Sequence, residues 1–114
     1  MAYENLVRLA EVMNRLRSPG GCPWDAEQTH ESLLKYLLEE SYEFVESVES
    51  GNRADMREEL GDILLQVYFH SRIAEEHGED PFTVDDVAKV VADKLISRHP
   101  HVFSDVKEIG RAHV

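Results

Sequence analysis

Residues 34–67 read LKYLLEESYEFVESVESGNRADMREELGDILLQV and predict two helices joined by a tight turn. Apolar side chains recur every three or four residues in the first half, and the same spacing resumes after the Gly51-Asn52 pair. This period places the apolar residues along one side of each helix, and glycine followed by asparagine ends the first one. The stretch therefore predicts a helical hairpin, with helices over about 30–50 and 54–78.

Two further amphipathic patterns flank this hairpin. Residues 3–17 have apolar positions at helical spacing, and the Pro- and Gly-rich segment 18–23 then interrupts the pattern. Later, Thr83 and Asp86 have the spacing of a capping box and precede a fourth apolar stripe. No convincing strand pattern is found, so we predict an all-α bundle of four to five helices, forming a single domain with an irregular tail over 104–114.

The apolar stripes of the two hairpin helices are wide for a chain of this length. Stripes of that width suggest that two chains bury them against each other in one shared core. We therefore expect a homodimer or a higher homo-oligomer.

The charge balance restricts the partners of the chain. Its 114 residues include 12 Lys or Arg and 23 Asp or Glu, which makes the formal net charge −11 at pH 7. Binding to nucleic acid or to an anionic membrane requires a basic patch, so neither partner is expected. No signal peptide or membrane-spanning stretch is visible, and the single Cys22 does not indicate an oxidising compartment. We predict a cytoplasmic protein.

Acidic residues at matched positions flank the turn of the hairpin. At about 1.5 Å per residue, Glu43 and Glu59 both lie roughly 10 Å from the turn. Glu40 and Asp62 form a second level about one helical turn further out. If both levels face one groove, four carboxylates converge, and Mg²⁺ or Mn²⁺ would relieve their repulsion. The alternative is a solvated acidic face that keeps the protein soluble.

Two other kinds of metal site fit the pattern less well. A di-iron bundle needs a Glu-x-x-His pair on each of two helices, and Glu27 with His30 is the single example. Zinc sites usually combine histidine with thiolate ligands, whereas His99 and His101 have no thiolate beside them. The pattern therefore favours a hard divalent cation.

Six short motifs follow one another over about residues 6–103: Gly21-Cys22-Pro23-Trp24-Asp25, Gln28-Thr29-His30, Leu38-Glu39-Glu40-x-x-Glu43, Glu58-Glu59-Leu60-Gly61-Asp62, Asp93-Lys94-Leu95 and Arg98-His99-Pro100-His101-Val102-Phe103. In kind and order they closely resemble the MazG family of nucleoside triphosphate pyrophosphohydrolases. The resemblance implies an all-α obligate dimer that uses Mg²⁺, with Mn²⁺ as a substitute. It also implies hydrolysis of a nucleoside triphosphate between its α and β phosphates, in house-cleaning of nucleotide pools.

The resemblance also assigns roles to the acidic residues. It implies that Glu40, Glu43, Glu59 and Asp62 are the metal ligands, which are the four that the matched levels select. Glu39 would be a further ligand or the ligand of a second ion, and Glu39 or Glu43 would orient or deprotonate the attacking water.

Four other residues are candidates for substrate binding. Lys94 and Arg98 match family positions that hold phosphates, although cations are also common at a helix C-terminus. Lys35 precedes the acidic cluster and is a further candidate. Trp24 would either stack on a base or pack in the core or against a second subunit. The competing hypothesis is a catalytically weak structural or regulatory copy of the domain, which dimerises and binds nucleotide or a partner.

Overall fold

Residues 2–104, the part of the chain that the computed structural model describes, contain five helices. In chain order they are α1 (Glu4–Arg17), α2 (Pro23–Glu27), α3 (His30–Ser50), α4 (Arg53–Ala74) and α5 (Val84–Arg98). Residues 2–104 contain no strand, so the all-α prediction is confirmed. None of these helices is both long and apolar enough to cross a membrane. The predicted irregular tail lies, from residue 105 onward, outside the described residues.

Two residues connect α3 to α4 and make them an antiparallel pair. Gly51 ends α3 with φ of 72°, a left-handed conformation that glycine adopts without strain. Asn52 then caps α4, because its side chain accepts a hydrogen bond from the backbone N–H of Asp55. At the start of α5, Thr83 and Asp86 form the predicted capping box. The hairpin and the fourth predicted helix are therefore confirmed.

The structure differs from the sequence prediction in two places. The segment predicted as a simple break contributes to α2, which begins at Pro23, where the missing N–H of proline is tolerated. The helix predicted to extend to about residue 78 ends at Ala74. After Ala74 the backbone forms a tighter turn, in which the N–H of Glu76 donates a hydrogen bond to the carbonyl of Ile73, three residues back.

A small core lies where α1, α3 and α4 meet. Met13, Leu33 and Phe69 are almost completely buried, and three partly buried side chains pack around them: Leu16, Tyr36 and Ile73. Trp24, on α2, packs edge-on against the rings of Tyr36 and Phe69, with centroid distances of 6.0 and 6.4 Å. The indole therefore covers one side of the core.

Arg17, the last residue of α1, connects this helix to α2 and to the segment after α4. Only 8% of its side chain is exposed. The guanidinium donates to the backbone carbonyls of Asp25 and Gln28, at 2.7 and 2.9 Å, and to both carboxylate oxygens of Glu76, at 2.8 and 3.0 Å. These bonds hold α2 and the residues after α4 against α1.

The predicted apolar stripe of α3 is only partly buried within the chain. Leu38 is 61% exposed, and Leu34 and Val45 are 51% and 48% exposed. Their period of three to four residues places these side chains along one side of the helix. A core shared with a second chain remains a prediction.

Candidate metal centre

Four carboxylates from α3 and α4 converge in the groove of the hairpin. Glu40 and Glu43 belong to α3, and Glu59 and Asp62 belong to α4. Each residue contributes one oxygen to a set whose members all lie within 4.8 Å of one another. The two residues of each helix are three positions apart and therefore project from the same side. We call this set the four-carboxylate group.

The electrostatics of the group are unfavourable for four negative charges. Burial and the charge of Glu43 raise the pKa of Glu59 from its ordinary value of 4.5 to about 7. Burial, followed by the charges of Asp62 and Glu43, also raises the pKa of Glu40. Both directions follow from placing like charges together in partial shelter from water. Without a cation, the Glu59 carboxyl therefore carries a proton in about half of the molecules at pH 7.

Two oxygens of the group have an unmet need for a positive partner. Within residues 2–104, the buried Oε1 atoms of Glu40 and Glu59 accept no hydrogen bond. Buried acceptors without a donor are uncommon and costly. A hard divalent cation prefers carboxylate oxygens, and opposite ligands of one such ion are about 4 to 5 Å apart. The donor set and its dimensions thus fit Mg²⁺ or a similar ion.

Comparison with known proteins identifies the family. A family model described as the MazG nucleotide pyrophosphohydrolase domain matches residues 28–103. The chain belongs to the MazG family. This match includes α3, α4 and α5 and therefore the whole four-carboxylate group.

Several relatives of this MazG chain carry names that describe an activity. The MazG nucleoside triphosphate pyrophosphohydrolase/pyrophosphatase of Thermotoga maritima is 56% identical over 97 residues, which are 85% of this chain and 37% of that protein. A nucleoside triphosphate pyrophosphohydrolase of Mycobacterium tuberculosis is 52% identical over 101 residues, 89% of this chain and 30% of the relative. The Escherichia coli K12 protein of the same name is 46% identical over 99 residues, 86% and 37% of the two chains. The chain spans about two fifths or less of each relative.

The other acidic candidate of this MazG domain lies beside the group. Glu39 is adjacent to Glu40 in α3 but is exposed and is not one of the four converging carboxylates. Its neighbour Glu43 is in the group and is itself exposed. Of the two residues predicted to act on water, Glu43 is therefore the one that lies among the clustered oxygens.

The predicted substrate-binding residues are distributed over three helices. Lys94 lines an apolar surface cavity along α5, and Arg98 is the exposed last residue of that helix. The ammonium of Lys35 lies 5.2 Å from the centroid of the Tyr36 ring, a cation–π contact. Trp24 is half exposed, and its ring contacts core aromatic residues. The packing of Trp24 matches the second of its two predicted environments, the core.

Sequence reasoning did not single out two polar residues that continue the acidic row of α4. Gln66 and His70 follow Asp62 at spacings of four, so they lie on the same side of the helix as Glu59 and Asp62. Gln66 is only 7% exposed. The spacing itself was available in the sequence. The burial of Gln66 and the partial burial of His70 were not, because they depend on how α3 packs on α4.

Proposed function

We propose that this MazG domain is a Mg²⁺-dependent nucleoside triphosphate pyrophosphohydrolase. The observation that supports this proposal is the four-carboxylate group in a chain of this family. An acidic protein with a net charge of −11 repels a triphosphate unless cations lie between them. Water would attack the α phosphorus, the bond from that phosphorus to the α–β bridging oxygen would break, and the products would be a nucleoside monophosphate and pyrophosphate.

The acidic residues divide into holding and proton-accepting roles. Glu40, Glu43, Glu59 and Asp62 would hold the ions, with Mn²⁺ as the expected substitute for Mg²⁺. Bound Mg²⁺ would supply attraction for the phosphate oxygens and would stabilise the charge that develops during cleavage. Glu43, or Glu39 beside the group, would orient the attacking water and accept its proton.

Cations on α5 would bind the end of the triphosphate. Lys94 and Arg98 are four residues apart and therefore project from one side of α5. Arginine offers two parallel N–H donors to a phosphate, and lysine adds a point charge. Lys35 would add a further positive charge near the acidic helix. We propose that the reaction removes unwanted nucleotides from the cytoplasmic pool.

A second copy of the chain would cover the exposed stripe of α3. The exposed side chains of Leu34, Leu38 and Val45 are apolar and lie along one side of the helix. Several exposed apolar side chains along one side of a helix are typical of subunit interfaces. Light scattering coupled to size-exclusion chromatography should therefore give the mass of a dimer or a larger oligomer. Leu38→Glu should shift the distribution towards the monomer.

The activity is tested by separating reaction products. The purified chain is incubated with a panel of ribo- and deoxynucleoside triphosphates, with Mg²⁺ or with EDTA, and the products are resolved by ion-exchange chromatography. Monophosphate and pyrophosphate should form only with Mg²⁺. Glu43→Gln should lower the rate by at least about 100-fold, as expected for loss of a ligand that also serves as a base. Glu46→Gln removes an exposed α3 carboxylate outside the group and should leave the rate close to that of the wild type.

Two results would contradict this assignment. Diphosphate and orthophosphate as products would show that a different bond is cleaved. Nucleotide binding that depends on Mg²⁺ but leads to no turnover would favour the structural or regulatory copy instead.

A further inference from the structure

The segment that joins α4 to α5 sets the position of α5. The first of these helices ends at Ala74 and the second begins at Val84, and α4 is the helix against which α5 mainly packs. Lys94 and Arg98 belong to α5. The contacts that hold residues 75–83 in place therefore also fix these two cations relative to the hairpin.

The side chain of His77 closes a turn within this segment. Its Nδ1 atom accepts hydrogen bonds from the backbone N–H groups of Glu79 and Asp80, at 3.1 and 2.9 Å. Asparagine and aspartate close turns in a similar way, with a side-chain oxygen as the acceptor. A ring nitrogen accepts only while it carries no proton, so His77 must be neutral with its hydrogen on Nε2. Protonation at Nδ1 would therefore break both bonds.

A contact between two other histidines lies beside this segment. His30 and His70 have ring planes within 4° of parallel, centroids 5.1 Å apart and Nδ1 atoms 2.8 Å apart. Rings stacked face to face are separated by about 3.5 Å or more, so these two lie edge to edge and share one hydrogen bond. The bond needs one nitrogen to donate and the other to accept. Two imidazolium ions would instead place two positively charged N–H donors against each other.

The surroundings of this pair disfavour positive charge. Burial, followed by the charge of His30, lowers the pKa of His70 below its ordinary 6.5. Within residues 2–104, the buried Nε2 atom of His70 has no hydrogen-bond partner, so an added N–H there would stay unpaired. His30 is the first residue of α3, where the helix dipole opposes a cation. Acid therefore acts against this contact as well.

A cavity of about 490 Å³ connects the two contacts. His30 and His77 both line it, together with Phe82, which lies two residues before α5. Phe82 and His30 also line the neighbouring cavity, to which His70 and Val87 of α5 contribute. The three imidazoles therefore lie next to the residues that lead into α5.

The charged groups around these rings come from several parts of the chain. Glu76 and Asp80 line the larger cavity from the segment after α4. Arg17 of α1 and Arg72 of α4 donate to the Glu76 carboxylate, at 2.8 and 2.9 Å. The residue that α5 itself contributes beside His70 is the uncharged Val87. Carboxylate charge therefore attracts protons to this region, while the hydrogen bonds of the three rings oppose their uptake.

We propose that His30, His70 and His77 form a pH switch that keeps α5 on the hairpin at neutral pH and releases it in mildly acidic solution. Protons would break the turn at His77 and the bond that the other two rings share. The release would take Lys94 and Arg98 away from the four-carboxylate group. This switch acts on the position of α5, whether or not the domain hydrolyses a triphosphate.

The direction of the pH dependence follows from His70. A histidine whose pKa is lower in the folded than in the unfolded chain stabilises the fold above the unfolded value of about 6.5, and this contribution is lost as the pH falls below it. The Glu59 carboxyl acts in the opposite direction, because its pKa is raised. A measurement on α5 itself therefore reports the switch better than global unfolding does.

The experiment follows α5 by NMR from about pH 7.5 to 5.5, at one protein concentration and without nucleotide. Amide signals of Val90 and Val91 report on α5, and imidazole nitrogen shifts report which ring nitrogens carry protons. In the wild type, His77 should have its hydrogen on Nε2 at the upper pH. As the rings take up protons, the α5 signals should move and their heteronuclear NOE values should fall.

Matched variants keep the hydrogen-bonding groups but remove the titration. His77→Asn retains an acceptor for the two backbone N–H groups, and His30→Gln retains a polar partner for His70. Each should lower the midpoint of the α5 transition by about 0.5 to 1 pH unit, the shift that corresponds to one hydrogen bond. The double variant should remove the transition over this range. His101→Asn replaces an exposed histidine outside both cavities and should behave as the wild type.

Other results would overturn the switch. A hydrogen on Nδ1 of His77 at the upper pH would mean that the imidazole does not close the turn. Unchanged α5 signals while the three rings titrate would mean that these rings do not hold the helix. A transition that persists unchanged in the double variant would assign it to the carboxylates. An equal shift of the midpoint in His101→Asn would show a general effect of losing a histidine.

Discussion

Replacing Arg17 with methionine should destabilise the domain strongly while leaving the four-carboxylate group untouched. Methionine keeps most of the length of the side chain but removes every donor. The backbone carbonyls of Asp25 and Gln28 then lose a charged partner at 2.7 and 2.9 Å. These carbonyls lie at the end of the short α2, whose last carbonyls have no partners within the helix.

The expected magnitude follows from these contacts. Hydrogen bonds from a charged donor contribute about 1.5 to 3 kcal/mol each, so the two carbonyls represent about 3 kcal/mol at the lower value. The pair with Glu76 adds less than about 1 kcal/mol, because that carboxylate is 45% exposed and Arg72 still contacts it at 2.9 Å. For a domain of this size, about 3 kcal/mol corresponds to a fall in Tm of roughly 12 °C.

The assay is thermal unfolding at one protein concentration, since self-association makes Tm depend on concentration. Arg15→Met is the matched control, because Arg15 occupies the same last turn of α1 and is exposed. Hydrogen bonding to Arg17 lowers the pKa of Glu76 below its ordinary 4.5, so part of the wild-type advantage is present above that pH and is lost as the pH falls below it. A fall in Tm no larger for Arg17→Met than for Arg15→Met would refute this reasoning.

Other perturbations test the centre and the backbone. Mg²⁺ at about 100 times its Kd should stabilise the protein by about 2.7 kcal/mol in thermal scans with and without EDTA, and Glu59→Gln should lose most of this gain. Without metal, the raised pKa of Glu59 means that the folded state binds a proton more tightly than the unfolded state does. The free energy of unfolding from denaturant titrations should therefore fall as the pH rises from 4.5 to about 7, and a constant value would contradict this. Gly61 lies within α4 with open space around it, so Gly61→Ala should stabilise the fold by up to about 1 kcal/mol. In Gly21→Ala the added Cβ would collide with the backbone carbonyl of Arg15, so this variant should be less stable than the wild type. Circular-dichroism melts of both variants test this contrast.

The hairpin and the acidic levels are predictable because both are local. A helix has a fixed rise per residue, and the two-residue turn at Gly51 and Asn52 sets the register of α3 against α4. Counting from the turn therefore places Glu43 level with Glu59. The four carboxylates converge, as the count requires if both levels face one groove.

The interactions that cross between helices are not predictable in this way. Arg17 meets Glu76 across 59 positions of sequence, and His30 meets His70 across 40. Neither pair has a periodic signal, because the distance between them depends on how the helices cross. The five-residue α2 is also too short to show a helical period, and its proline and glycine neighbours favour the prediction of a loop.

By itself, the sequence determined the helical class, the position of the hairpin and the spacing of the acidic residues along each helix. Those properties depend on neighbours within a few turns of one chain segment. The tertiary structure alone decided that Gln66 is buried, that two imidazoles share one plane and that Leu38 remains exposed. Each of these depends on how α3 and α4 are rotated about their axes and packed, which residue spacing along a single helix does not specify.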